Sequence, residues 1–336
     1  MNGSSPSLPF VLFHRPGAAT LERLVPDPNG DACFRMHPWE GARSHSDVVI
    51  RGRIEQGASV FGDQRPRIKP DATTIGGTQR QDHIDRVALA KTRIEAGEFE
   101  KVVLSSSLTV SVQLLEAEDV VRRQAQAHPD SFSWVVRHPE IGMWFGSSPE
   151  PLVEGQRPHF HTACLAGTRM THTGAQTDPW TPKELHEQQL VTDTVLRSLE
   201  RSECQNIEVG VRETVQYGPI EHLRTIVKFS ATQPVAQVIS ALHPTPAVGG
   251  VPREAALSFI HSHEGHDRAF YTGWVGLEQG DTVSYYVNLR CASLQENQLT
   301  AYAGGGITNG SDPAAEWQET RNKLTSVLDP IVHWVK

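Results

Sequence analysis

The chain has 336 residues, 38% of them hydrophobic and 21% charged, with a formal net charge of −8. That length and composition fit a globular protein with a substantial core, and the acidic balance offers no electrostatic support for a nucleic acid or an anionic membrane surface. The cysteines Cys33, Cys164, Cys204 and Cys291 are too scattered for a zinc site or a secreted disulfide scaffold. They read as reduced, mostly buried thiols of a soluble, cytoplasmic protein.

In chain order, the first 80 or so residues are rich in turn formers, with strand-like runs at PFVLF and DVVI. The apolar run LPFVLF is six residues long and lacks a basic region ahead of it, so it is not a targeting segment. No later stretch approaches the roughly 18 apolar residues of a membrane span. GDQRPRIKPDATTIGGTQRQ reads as a polar loop. DHIDRVALAKTRIEAGEF predicts a helix, with Asp82 suited to cap its start and Gly97 to end it, and KVVLSSSLTV follows as a strand. SFSWVVRH, GMWFGSS and HFHTACLAGT predict three more strands, and PKELHEQQLVTDTVLRSLE a long amphipathic helix.

The run HPTPAVGGVPR, His243 to Arg253, holds three prolines and two glycines. It reads as a rigid wall that something small approaches, and Pro252 opens the helix REAALSFIHSH. VSYYVNLRCASL and LTAYAG predict strands paired through the QEN turn, and Ser311-Asp312-Pro313 starts a final helix that Pro330 interrupts. Strands grouped as hairpins, with long helices outside them, indicate the α+β class with mostly antiparallel sheet. One domain over residues 1–336 is expected, residues 1–80 being its divergent part.

Several side chains could carry chemistry. Glu184 and Glu187 share one helix face, as do Glu316 and Glu319, each pair at i, i+3. Four such carboxylates repel one another unless a hard cation such as Mg²⁺ lies between them. The alternative is two solvated faces, with Glu319–Lys323 a surface pair. Lys101, at the head of an apolar strand, suits a general base if it loses its proton. Glu150, in a turn after a strand, suits a general acid if an apolar pocket keeps it protonated. Arg290, inside YYVNLRCASL, needs a carboxylate partner, more often a protein glutamate than a ligand. His222 and His243 read as structural. The sixteen histidines form no HExxH pattern, and GGGITNGSD misses the dinucleotide fingerprint.

Together the landmarks KVVLS, GSSPE, CLAGT, KELHEQQLVTD, EHLRT, HPTPAVGG, DRAFYTGWVG, VNLRCA, YAGGGI and SDPAAEWQETRNKL resemble, in order from about residue 80 to 330, the chorismate-utilising enzymes. This family comprises the isochorismate, salicylate, anthranilate and aminodeoxychorismate synthases. The resemblance implies chorismate as substrate and Mg²⁺ held by Glu187 and Glu319, with Glu184 and Glu316 close by. It implies Arg290 and Lys323 on the pyruvyl-ether carboxylate. Gly167, Thr168, Gly304, Gly305 and Gly306 would supply backbone against the ligand, with His222 and Tyr302 at the wall. Lys101 matches the water-activating lysine of the isochorismate and salicylate synthases. Ala166 stands where many aminodeoxychorismate synthases carry a nucleophilic lysine, and Ala247 where ammonia users and the salicylate synthases tend to carry threonine.

These three positions make isochorismate synthase the closest reading, with Lys101 as base and Glu150 as acid. A monomer serving menaquinone synthesis is expected. The alternatives are a salicylate synthase, a siderophore-pathway isochorismate synthase, an aminating synthase and a non-catalytic chorismate-binding module. Against the family pattern, Ser106 replaces a frequent arginine, Ala269 a common glycine and Gly305 a common alanine.

Overall fold

The computed structural model describes residues 9–40, 42, 45–60, 69–113, 115–171, 179–217 and 220–335. The chain opens with five strands, β1 (Phe10–His14), β2 (Thr20–Pro26), β3 (Ala32–His37), β4 (Val48–Ser59) and β5 (Asp71–Gly77). Next come α1 (Arg80–Glu95), β6 (Lys101–Val112), α2 (Ala117–Ala127), β7 (Phe132–His138), β8 (Gly142–Ser148), β9 (Pro151–Gln156) and β10 (His159–Met170). The following stretch holds α3 (Pro182–Arg201), β11 (Gln205–Val209), β12 (Glu213–Tyr217), β13 (Ile220–Ser230), α4 (Val235–Leu242), β14 (Gly250–Val251) and α5 (Arg253–His263). The last is β15 (Trp274–Gln279), β16 (Thr282–Val287), β17 (Cys291–Gln295), β18 (Gln298–Ile307), α6 (Pro313–Leu328) and β19 (His333–Trp334).

The α+β expectation holds. Strand pairing links all nineteen described strands, and each pair is antiparallel except β19 with β5. The turn-rich first residues join this network, because β1 pairs with β7 and β3 with β15. At its middle, β6 pairs with β5, β14 and β18. Helix α3 packs on β10 and α6 on β18, so each lays one glutamate pair against a different part of the sheet. All four cysteines are buried and free. Among the described residues, no helix is long and apolar enough to cross a membrane.

Several sequence expectations need correction. Residues 71–77, read as loop, form β5; residues 62–68 of that stretch lie outside the described residues. Helix α1 starts at Arg80 with Gln79 as its cap, and Asp82 sits in the first turn instead. Pro252 is the cap residue of α5, not its first turn. The run VSYYVNLRCASL is not one strand. It breaks at 288–290, where the chain leaves the β9 and β15 partners of β16 for the β8 and β18 partners of β17. Arg290 lies in that break with φ +48, so it is not a mid-strand residue. Unforeseen elements are β2, β3, α2, β9, the β11–β13 group, α4, β14, β15 and β19.

Of the departures from the family pattern, Ser106 has a local explanation, whereas nothing in the structure explains the alanine at 269. Ser106 is buried, and its hydroxyl lies 2.9 Å from His83 Nδ1 on α1. The His83 ring meets Trp317 of α6 at 5.5 Å, so a serine–histidine contact occupies this place. Ala269 has φ +52, a left-handed conformation that favours glycine. Because His83 Nε2 already lacks a partner, Ser106→Ala leaves a buried ring with neither nitrogen bonded. It should cost about 1–3 kcal/mol of stability, read by urea denaturation; an unchanged midpoint would show that the contact contributes nothing.

Candidate active site

One cavity gathers every candidate residue: Lys101, Glu150, Gly167, Thr168, Glu184, Glu187, His222, Ala247, Arg290, Tyr302, Gly304, Gly305, Glu316, Glu319 and Lys323 all line it. Nine segments bring them there: β6, the β8–β9 link, β10, α3, β13, the 243–253 run, the 288–290 break, β18 and α6. Lys101 heads β6, and Glu150 sits in the short link from β8 to β9. Gly167 forms a bulge in β10, with φ +72 and a register shift between Ala166 and Thr168 against β13. Helices α3 and α6 close one side, and the HPTPAVGG run contributes Ala247.

The charged groups form a cross-linked set. Lys101, 1% exposed, pairs with Glu187 at 3.0 Å. Lys183 of α3 reaches Glu316 of α6 at 3.0 Å, and Lys323 reaches Glu319 at 2.7 Å and Gly304 O at 3.1 Å. Glu184 accepts a hydrogen bond from Thr181. Burial, then the neighbouring Glu319, pushes Glu316 above the usual carboxylate range, with Lys183 opposing. The glycines of β18 leave room for these groups. A side chain on Gly306 would begin 2.4 Å from Glu187 Oε1 and 2.8 Å from Lys101 Cε.

Among the described residues, no three His, Cys, Asp or Glu side chains converge as a metal-holding group. The four glutamates nonetheless offer the carboxylate oxygens that a hard divalent cation takes. The space that a Gly305 side chain would fill lies 3.2 Å from Glu316 Oε2 and 3.9 Å from Glu319 Oε1. The donor set therefore fits Mg²⁺, once the lysines release these carboxylates.

Among the described residues, Glu150 and Arg290 each lack an ion-pair partner. Glu150 is 2% exposed and its Oε1 makes no hydrogen bond. Burial pushes its carboxyl up to about 8, against the opposing pull of Lys101. Arg290 contacts no carboxylate among the described residues, so the expectation of a protein glutamate is overturned. Its guanidinium lies over the Tyr217 ring at 5.2 Å and its Nη2 is 3.4 Å from His222 Nε2. Burial pulls Arg290 down to about 10.

His222 is kept neutral: burial, then Arg290 and Lys323, hold it well below its ordinary range. Its Nδ1 lies 3.0 Å from Gly167 O. A proton there donates to that carbonyl and leaves Nε2 to accept from Arg290. Tyr302 stacks between Trp144 and Tyr271.

Sequence reasoning missed Lys183, Leu165, Tyr271 and Leu289, which also line the cavity. Only Lys183 carried a signal, as the i, i+4 neighbour of Glu187. It also missed the clamp outside the cavity. Buried Arg268 holds Glu264 through two bonds of 2.6 and 2.8 Å, and donates to Val103 O and Val248 O at 2.7 and 2.9 Å. Glu264 in turn accepts from Ser105 N at 2.5 Å. The Lys101 strand and the Ala247 wall are thus tied to one buried ion pair.

Arg268→Met strands the Glu264 charge and should cost about 3–5 kcal/mol, with the Arg268→Met/Glu264→Met pair less damaging than the single change in chemical denaturation. Glu150 gives a pH test. Its folded pKa lies above the unfolded value, so it destabilises the native state increasingly as pH rises from about 4.5 to about 8. Glu150→Gln should therefore raise Tm at pH 8, and the gain should vanish below pH 5; a gain that is the same at both pH values would contradict the buried neutral carboxyl.

Residues 45–332 match the family model described as chorismate binding enzyme. The chain is 33% identical to isochorismate synthase DhbC of Bacillus subtilis, over 74% of this chain and 67% of that protein. It is 28% identical to isochorismate synthase EntC of Escherichia coli, over 98% of this chain and 88% of that one. The fold superposes on menaquinone-specific isochorismate synthase MenF of Escherichia coli with a TM-score of 0.83 at 20% identity, covering 98% and 90% of the two chains. It also superposes on anthranilate synthase component I of Streptococcus pneumoniae, with a TM-score of 0.72 at 16% identity and coverage of 97% and 93%. With that match spanning most of the chain, the protein belongs to the chorismate-binding enzymes.

Proposed function

We propose that the protein is an isochorismate synthase, converting chorismate to isochorismate by attack of water at C2 and loss of the C4 hydroxyl. The observation that carries this reading is the pairing of two unlike groups in one cavity: the buried Lys101 and the unpartnered, neutral Glu150. A base and an acid poised together are what an addition–elimination without net redox change requires. Sequence relatives named as isochorismate synthases support the same chemistry.

Arg290 receives a substrate carboxylate, which supplies the anion that this guanidinium lacks. Neutral His222 accepts from Arg290 and keeps it aimed. Lys101, once freed from Glu187 and neutral, removes a proton from water as its oxygen bonds to C2. The ring double bonds shift, the C4–O bond breaks, and Glu150 gives its proton to the departing hydroxyl. One water enters and one leaves. Glu184, Glu187, Glu316 and Glu319 would hold Mg²⁺, which when bound neutralises the ring carboxylate and orients the ring. Ala166 places no amine, and Ala247 no hydroxyl, against the reacting face. This favours water over ammonia.

Incubation with chorismate and Mg²⁺, with and without ammonium, tests the reading. Isochorismate alone is expected; strong salicylate release or an ammonium-dependent aromatic amine would overturn it. Glu150→Gln and Lys101→Ala should each lower kcat by about 10²–10⁴ while chorismate still binds. Because Glu150 must be protonated to act, kcat should fall above about pH 8, and Glu150→Gln should lose that limb.

A further inference from the structure

The geometry points to a second small-molecule site, for a planar aromatic carboxylate, distinct from the active cavity. A separate cavity of about 650 Å³ lies between β3, β15, β16 and α4, within the roughly 300–1,000 Å³ typical of ligand sites. Its aromatic side is preformed. His37 stacks on Trp274 with centroids 5.2 Å apart at 15°, and Trp274 meets Tyr285 edge-on at 4.7 Å. Val235 and Ile239 of α4 supply an apolar side, so a flat ring fits between them.

The polar groups select the charge of the ligand. Arg35 Nε is buried without a hydrogen-bond partner. Glu278 beside it is 3.5 Å away, and the same carboxylate oxygen already accepts from the Tyr285 hydroxyl. Arg157 donates to Gln233 O at 3.3 Å and, among the described residues, pairs with no carboxylate. The other acids of the cavity are taken, Glu40 by Arg253 at 2.9 Å and Asp47 by His37 at 2.6 Å. Arg35 is held by Glu278, so Arg157 is the arginine of this cavity left without an acid among the described residues, which suits an anion. A ring slot with that arginine among its lining describes an aromatic acid.

The placement gives this site a route to the active cavity. His243 and Trp274 line the second cavity, whereas Ala247 and Tyr271 line the first. The two segments are joined by a 2.8 Å bond from His243 Nε2 to Thr272 O. An occupant therefore rests on the same two segments that wall the substrate.

Isothermal titration calorimetry of 2-naphthoate into the full chain tests the proposal without reference to turnover. Saturable binding is expected, weakened about tenfold or more by Arg35→Gln or by Arg157→Gln at an exposed position, and retained by Arg290→Met in the active cavity. Absence of saturable binding, insensitivity to both cavity arginines, or loss in Arg290→Met would each overturn it. Should Arg290→Met fail to fold, competition in the unmutated protein decides: displacement of 2-naphthoate by excess chorismate places it in the active cavity and overturns the proposal, and retention supports it.

Discussion

The active cavity depends on the antiparallel ladder between β6 and β18. It runs from Gln298 opposite Ser111 to Ile307 opposite Val102. One strand carries Lys101 at its head and the other carries the glycine triplet, so the Lys101 side chain lies over backbone that has no side chains. Helix α6 packs on β18 and brings Glu316, Glu319 and Lys323 to the same cavity. A methyl group at Gly306 would collide with both Lys101 and Glu187. The register of one strand pair therefore sets the geometry of the lysine and the carboxylates together.

The second constraint is charge kept out of water. A buried ion is tolerated only when paired or when its charge is lost. Glu187, Glu316 and Glu319 are each met by a different lysine, and Glu264 by Arg268. Glu150 and Arg290 depart from this rule in opposite ways. Burial favours the uncharged carboxyl of Glu150, whereas Arg290 keeps its charge in a place that supplies only a ring face and a neutral histidine. Such departures are where function concentrates, and these two line the same cavity.

The Arg268–Glu264 pair links the two constraints. It lies outside the cavity and touches neither Lys101 nor Ala247, yet it bonds Val103 O on the base strand and Val248 O on the wall. Pre-organisation of the site thus rests partly on a buried ion pair with no chemical role of its own. The fold is shared with an anthranilate synthase component, with a TM-score of 0.72.

The sequence by itself determined the fold class, the glutamate pairs, and which residues could serve as acid and base. These features are local or periodic: an i, i+3 spacing, a proline at a helix start, an apolar strand with a lysine at its head. It misread the run around Arg290, because alternating apolar residues look continuous even where a chain changes partners. It overlooked Lys183 and Arg268, whose meaning lies in contacts with Glu316 and Val248 far along the chain. Only the tertiary structure decided that Glu150 is buried without a partner, that Arg290 has no acid among the described residues, and that Glu187, Glu316 and Glu319 are each held by a lysine. Burial and charge pairing are properties of assembled surfaces, and no linear spacing encodes them.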